Sequence, residues 1–253
     1  MSGRLTVIGL GPGNSGQITP EALEAVSQAD DFFGYIPYLD RLSLAAHQRR
    51  HASDNREEIS RAEAALTIAA AGGKVCVVSG GDPGVFAMAA AVCEAIEHGP
   101  DAWRQIEFQV VPGVTAMLAV AAKAGAPLGH DFCAISLSDN LKPWSLIEKR
   151  LIAAADAGFV MAFYNPVSKA RPHQLTTAFD VLRAHLPACV PVIFGRAAGR
   201  PDERMKIVPL SEASSDMADM ATCIIVGSEE TRVIERPGQA PVVYSPRSSR
   251  RES

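Results

Sequence analysis

Hydrophobic and polar positions follow two rhythms along this chain. Short apolar runs rich in β-branched residues end in glycine or proline, and longer stretches between them carry helical spacing. LTVIGLG predicts a first strand. A helix is expected from near Thr19, with Thr19 suited to the N-cap, Pro20 to the first helical position and Glu21 to the positive end of the helix. A short strand around Asp31 to Gly34 follows, then a helix over Glu57 to Ala71 stopped by Gly72-Gly73. Strand KVCVVSG, a helix from Pro83 to about His98, strand IEFQVV and a short Ala-rich helix after PGVT complete the first half. FCAISL, FVMAFY, VPVIFG, MKIVPL and TCIIVG read as strands, with helices over Pro143 to Ala157, Pro172 to Leu186 and Ser211 to Met220. The alternation predicts two α/β domains: residues 1–112, with a mainly parallel sheet and glycine-rich loops, and residues 113–245, followed by a polar tail at 246–253.

Composition narrows the function classes. Of 253 residues 47% are hydrophobic, enough for a substantial core, and the net charge of -4 argues against general nucleic-acid binding. A local basic patch remains compatible with an acidic small molecule. Cys76, Cys93, Cys133, Cys189 and Cys223 form no CxxC pair, which points to reduced, buried thiols in a cytoplasmic protein and away from a disulfide framework or structural zinc. No apolar run reaches the length of a membrane span, and a strand begins too near the N-terminus for a signal peptide. His47 and His51 have the i, i+4 spacing of a metal pair on a helix, but no third ligand accompanies them; an exposed polar face and no metal are expected.

Two glycine-rich turns carry the candidate chemistry. The first holds Gly9, Gly11, Pro12, Gly13 and Gly16, and matches GxGxxG after a strand, with Asp30 and Asp31 about twenty residues on. A nicotinamide-dependent oxidoreductase is therefore one reading. Against it, Pro12 has no N–H where a pyrophosphate needs donors, and the helix starts only near Thr19. The second turn holds Gly80, Gly81, Asp82, Pro83 and Gly84; Asp82 suits a helix N-cap with Pro83 behind it, and the glycines leave backbone bare for a ligand. Thr115 follows VPGV at another strand-to-helix junction, as a cap or as a donor to a ligand carboxylate.

VIGLGPG, SGGDPGVF and VPGVTA, in this order and spacing, resemble three signatures of the tetrapyrrole (corrin and porphyrin) methyltransferase family, over about residues 3 to 228. GYIPYLD, ISLSDNLKPW and FYNPVSKARPHQL resemble the branch that couples C-17 methylation of a cobalamin precursor to ring contraction. The resemblance implies the tetrapyrrole methylase fold (class III methyltransferase), two α/β domains with an inter-domain cleft, S-adenosylmethionine as methyl donor, a tetrapyrrole substrate and a homodimer. It implies cofactor contacts at Pro12, Gly80, Gly81, Asp82, Val85, Thr115 and Ala116, and at Asn165 and Gly195. Uroporphyrinogen methylases of the family often have Met in place of Asn165, and their proposed base has no counterpart here, where Gly34 and Tyr35 stand.

Methyl transfer from a sulfonium requires alignment and exclusion of water more than side-chain chemistry. Ring contraction also needs proton movement, for which Tyr35, Tyr38, Asp40 and Asp139 are candidates; packing or capping would also explain each. A substrate fringed by carboxylates calls for cations. Lys169, Arg171 and His173 follow FYNP, Arg196 and Arg200 follow the Gly195 strand, and Arg49, Arg50 and Arg56 follow YIPYLD; of these Lys169, Arg171 and Arg196, just past strand ends, are preferred over the arginines of the tail. Two further readings stay open: a cobalt-containing substrate in the same reaction, and a tetrapyrrole binder without catalysis.

Overall fold

The structure is a computed structural model that describes residues 3–54 and 57–248. Arg56 and residues 249–253 of the polar tail lie outside the described residues. The chain divides into two units, Met1–Ala116 and Met117–Ser253.

In the first unit, strands β1 (Arg4–Gly9), β2 (Asp31–Tyr35), β3 (Arg49–Ser53), β4 (Lys74–Ser79) and β5 (Glu107–Val111) form one sheet in the order β3-β2-β4-β1-β5, with every pairing parallel. The crossovers include helices α1 (Pro20–Gln28), α3 (Glu58–Ala70) and α4 (Met88–His98), and a single turn, α2 (Ile36–Leu39), follows β2. Both faces of the central strands are covered, which is why β1 and β4 read as unbroken apolar runs. Leu5, Val7, Val75 and Val77 pack with Ala62, Leu66 and Val92 of α3 and α4, while Ile8, Cys76 and Val78 join Ala22, Phe32 and Leu39 on the other face. Thr19 caps α1 as expected, its Oγ1 accepting from the Ala22 amide at 3.1 Å.

The second unit takes in α5 (Ala116–Ala124) from Met117 onward and continues with β6 (Gly125–Ala126), β7 (Phe132–Ser136), α6 (Trp144–Asp156), β8 (Val160–Tyr164), α7 (Gln174–His185), β9 (Pro191–Arg196), β10 (Arg204–Pro209), β11 (Thr222–Val226), β12 (Arg232–Ile234) and β13 (Val242–Tyr244). Its main sheet, β10-β9-β11-β8-β7, is mixed: only β7 and β8 run parallel. A three-stranded sheet, β12-β13-β6, has no counterpart in the sequence reading.

Three expectations need correction. The helix placed at Pro83 begins only at Met88, because Phe86 takes a left-handed φ of 51° and Ala87 is extended. The helix over Ser211 to Met220 shrinks to one 3-10 turn, Ser215–Met217. Short polar side chains there serve local turns instead of a helix, as where Asp219 Oδ1 accepts from the Ala221 amide at 2.9 Å and from Thr222 Oγ1 at 2.9 Å. His47 and His51 share no helix, since His51 lies within β3. Among the described residues no group of three or more His, Cys, Asp or Glu is placed to hold a metal.

His51 instead belongs to a clamp that pins the edge strand. Asp31, fully buried, accepts from Arg49 Nε at 2.7 Å and Nη2 at 2.5 Å and lies 2.7 Å from His51 Nε2; the His51 ring stacks on Phe33 at 4.3 Å. The Arg49 hydrogen bonds, opposed by burial, hold the Asp31 carboxyl below its ordinary value. A depressed folded-state value means stability that is present above the unfolded value of about 3.9 and lost as pH falls through the folded one. Asp31→Asn is expected to cost about 1–3 kcal/mol at neutral pH, with the gap to wild type closing below about pH 4. Thermal unfolding from pH 7 to pH 2 checks this; equal melting temperatures at pH 7 would contradict it.

The cysteines are unpaired: Cys76 and Cys223 are buried, Cys133 is half-buried, and Cys93 and Cys189 are exposed. Burial raises the strand thiols above their ordinary value, which leaves them unreactive. No helix among the described residues is long and apolar enough to cross a membrane.

Candidate functional site

In the first unit, the loops after β1, β4 and β5 meet backbone to backbone. Gly11 and Gly81 form a two-bond antiparallel bridge, Gly11 N to Gly81 O at 3.1 Å and Gly81 N to Gly11 O at 3.0 Å. Both residues take positive φ, 65° and 64°, a conformation that costs any side chain-bearing residue. Gly9 and Gly113 close on the same point: a Cβ on either would lie within 2.5 Å of the Gly81 carbonyl oxygen. Only hydrogen fits there, so the sequence GLGPG, SGGDPG and VPG reflects one physical contact.

Asp82 fastens this junction. Its Oδ1 accepts from the Gly84 amide at 2.8 Å and its Oδ2 from the Gly113 amide at 3.0 Å. The sequence offered Asp82 as a helix cap; the structure uses both oxygens to tie the second loop to itself and to the third. Around it Pro12 and Thr115 are buried, and Gly80, Gly81, Val85 and Ala116 are half-buried. An added Cβ at Gly81 would come into ordinary van der Waals contact with Thr115 Cα and the Ala116 amide at 3.8–3.9 Å, so the second and third loops face each other here through bare backbone with no side chain between them.

Side chains enter from the β2–α2 turn. The Tyr38 ring lies against Gly80, where a Cβ would come within 2.6 Å of it, and Tyr35 meets Tyr38 edge-on at 5.4 Å. Arg41 donates to the carbonyls of Gly11, at 2.8 Å, and Leu10. Arg41 has no sequence signal of its own; only the single turn of α2 carries it back to the first loop. Asp40 is paired with Arg50 at 2.5 Å on the surface, which makes Asp40 a surface ion-pair partner in this unit.

In the second unit, the ends of β7, β8 and β9 hold the remaining candidates. Asn165 takes a positive φ of 53° directly after β8, and its Nδ2 donates to Ser136 Oγ at 3.0 Å. Arg171 is turned inward, 7% exposed, with Nη1 donating to the Asn165 carbonyl at 3.1 Å. The guanidinium offered as a substrate ligand thus braces the Asn165 loop, while Lys169 stays exposed. Asp139 accepts from Gln174 Nε2 at 3.0 Å. Arg196 is shared between Asp202 at 2.7 Å and Asp219 at 2.8 Å, so its charge is already answered. Gly195 is closed over by α5: a Cβ would strike Val120 at 2.2 Å, a packing reason for glycine at this position.

Phe86, Asn165 and Ala197 are the non-glycine residues at positive φ among the described residues, and they lie in the loops that follow β4, β8 and β9. Such strain persists where surrounding structure imposes it, commonly at ligand sites. A separate hollow of about 740 Å³, lined by α1 and parts of β1, β4 and β5, includes none of these residues.

Comparison with known proteins agrees with the sequence signatures. Residues 4–214 match the family described as Tetrapyrrole (Corrin/Porphyrin) Methylases. The chain is 68% identical to a precorrin-3B C(17)-methyltransferase from Sinorhizobium sp, over 98% of this chain and 97% of that protein. It resembles the crystal structure of the methyltransferase CobJ with a TM-score of 0.92 and 50% identity, covering 97% of this chain and all of that one. The uroporphyrin-III C-methyltransferase of Thermus thermophilus, solved with S-adenosylhomocysteine, shares the fold at a TM-score of 0.66 and 22% identity, over 89% of this chain and 92% of that one.

Proposed function

Because the chain belongs to the tetrapyrrole (corrin/porphyrin) methylases, we propose that it methylates C-17 of precorrin-3B and couples this to ring contraction, giving precorrin-4 in cobalamin biosynthesis. The observation that carries the reading is the backbone junction of Gly9, Gly81 and Gly113, which leaves a half-buried, side-chain-poor surface on the second loop. The likeness to the Sinorhizobium enzyme supports the substrate.

S-adenosylmethionine, when bound, supplies a methyl group already activated by the positive sulfur. The residues proposed to hold it are Pro12, Gly80, Gly81, Asp82, Val85, Thr115 and Ala116, with Asn165 and Gly195 assigned on family likeness. The chain's part is to orient and to exclude water. Gly81 offers bare backbone; Thr115 stands at the start of α5 with its hydroxyl and amide; Asp82 and Arg41 fix the loops that present them. Tyr35 is proposed to move a proton in ring contraction, with Asp40 and Asp139 as the further candidates. Unpaired thiols support a cytoplasmic setting, and a homodimer is proposed on family likeness.

Titration calorimetry tests the cofactor. Binding of S-adenosylhomocysteine without binding of NAD is expected, and the reverse pattern would return the oxidoreductase reading of the first loop. Turnover restricted to a cobalt-loaded macrocycle would move the substrate to the cobalt-containing precursor.

A further inference from the structure

We propose that Lys142 binds a carboxylate of the tetrapyrrole at the end of β7. The inference rests on the function proposed above and gives a role to a residue of the ISLSDNLKPW stretch in which the sequence reading singled out Asp139 alone. Lys142 is half-buried in the loop between β7 and α6. Among the described residues it makes no hydrogen bond and no ion pair. The charges that reach it are mostly of its own sign: Arg150 from α6 and Arg171 from the loop before α7, against Asp139 alone. Asp139 is already engaged by Gln174 at 3.0 Å, and Arg171 is committed to the Asn165 carbonyl at 3.1 Å.

Arg171 is spent on backbone and Arg150 is exposed, whereas Lys142 is half-buried with its three N–H donors unspent on any described residue. An incoming carboxylate would restore the local charge balance and take up those donors. The preceding residue fits the same ligand, for Leu141 is 96% exposed and sets an apolar side chain beside the cation. A macrocycle with an apolar face and an acidic fringe needs both. Burial, then Arg150 and Arg171, lower the Lys142 ammonium from its ordinary value, so its charge is lost at lower pH than that of a solvated lysine.

Lys142→Met is expected to raise KM for precorrin-3B about tenfold or more, the worth of one charge-assisted hydrogen bond. The kcat, the affinity for S-adenosylhomocysteine and the melting temperature are expected to hold, since Lys142 bonds to nothing in the protein. Lys142→Arg should restore most of the lost affinity. In the wild type KM should climb with rising pH below the range of ordinary lysine, and this climb should vanish in the Met variant. An active wild type whose Met variant keeps its KM and its pH profile would overturn the role of Lys142 alone. A wild type inert on precorrin-3B, yet binding S-adenosylhomocysteine, would overturn the function reading and this inference with it.

Discussion

Gly81→Val is expected to abolish measurable binding of S-adenosylhomocysteine while leaving a folded protein. Two costs combine. Gly81 sits at φ 64°, where a β-branched residue is strained by roughly 1–3 kcal/mol. The new side chain would also fill the space between the loops, since its Cβ alone already touches Thr115 Cα and the Ala116 amide at 3.8–3.9 Å. The first cost lowers stability; the second removes the surface that the cofactor needs. Gly158→Val separates them, because Gly158 has φ 74° with nothing within 4 Å of its Cβ position. That variant should lose a few degrees of melting temperature and bind normally. Loss of about a hundredfold or more in affinity, roughly 2.7 kcal/mol, is expected for Gly81→Val alone. Near-normal affinity in a folded Gly81→Val protein would remove the second loop from the cofactor site.

Asp82→Ala is expected to have the second largest effect. It deprives the Gly84 and Gly113 amides of their acceptor at once. Hydrogen bonds to a charged group are worth about 1.5–3 kcal/mol each, and partial exposure of Asp82 reduces the sum. We expect a loss of about 2–3 kcal/mol in unfolding free energy and a fall of at least tenfold in S-adenosylhomocysteine affinity, because the third loop is no longer held against the second. Asp82→Asn retains one acceptor oxygen and should fall between. Chemical unfolding and calorimetry on the three proteins give the order; an alanine variant as stable and as tight-binding as wild type would show that the junction holds without the carboxylate.

These two residues also show what could be read from the chain and what could not. The strands ending in Gly9 and Ser79 were legible because a parallel sheet covered on both faces demands unbroken apolar runs, the edge strand ending in Val111 by its short β-rich run stopped at Pro112-Gly113, and the glycines after all three mark where backbone meets backbone. The start of α4 was not, because Asp82-Pro83 spells a local helix cap while the carboxylate is spent on Gly113, a partner 31 residues away. Arg49, Arg50 and His51 look like a polar surface stretch; they form a strand through pairing with β2 and through Asp31, both remote in sequence. Arg41 and Lys142 escaped for the same reason, since their roles come from where a turn delivers them. Asn165 was found by family likeness, but its left-handed backbone and the bracing by Arg171 belong to the fold.

The most direct measurement follows a labelled methyl group. Wild-type protein is incubated with precorrin-3B and S-adenosylmethionine carrying a carbon-13 methyl, and the product is mapped by NMR. The account requires the label on C-17 of a ring-contracted macrocycle, and none when Gly81→Val replaces the wild type. A macrocycle that is bound but unlabelled, or labelled at another carbon, would contradict it.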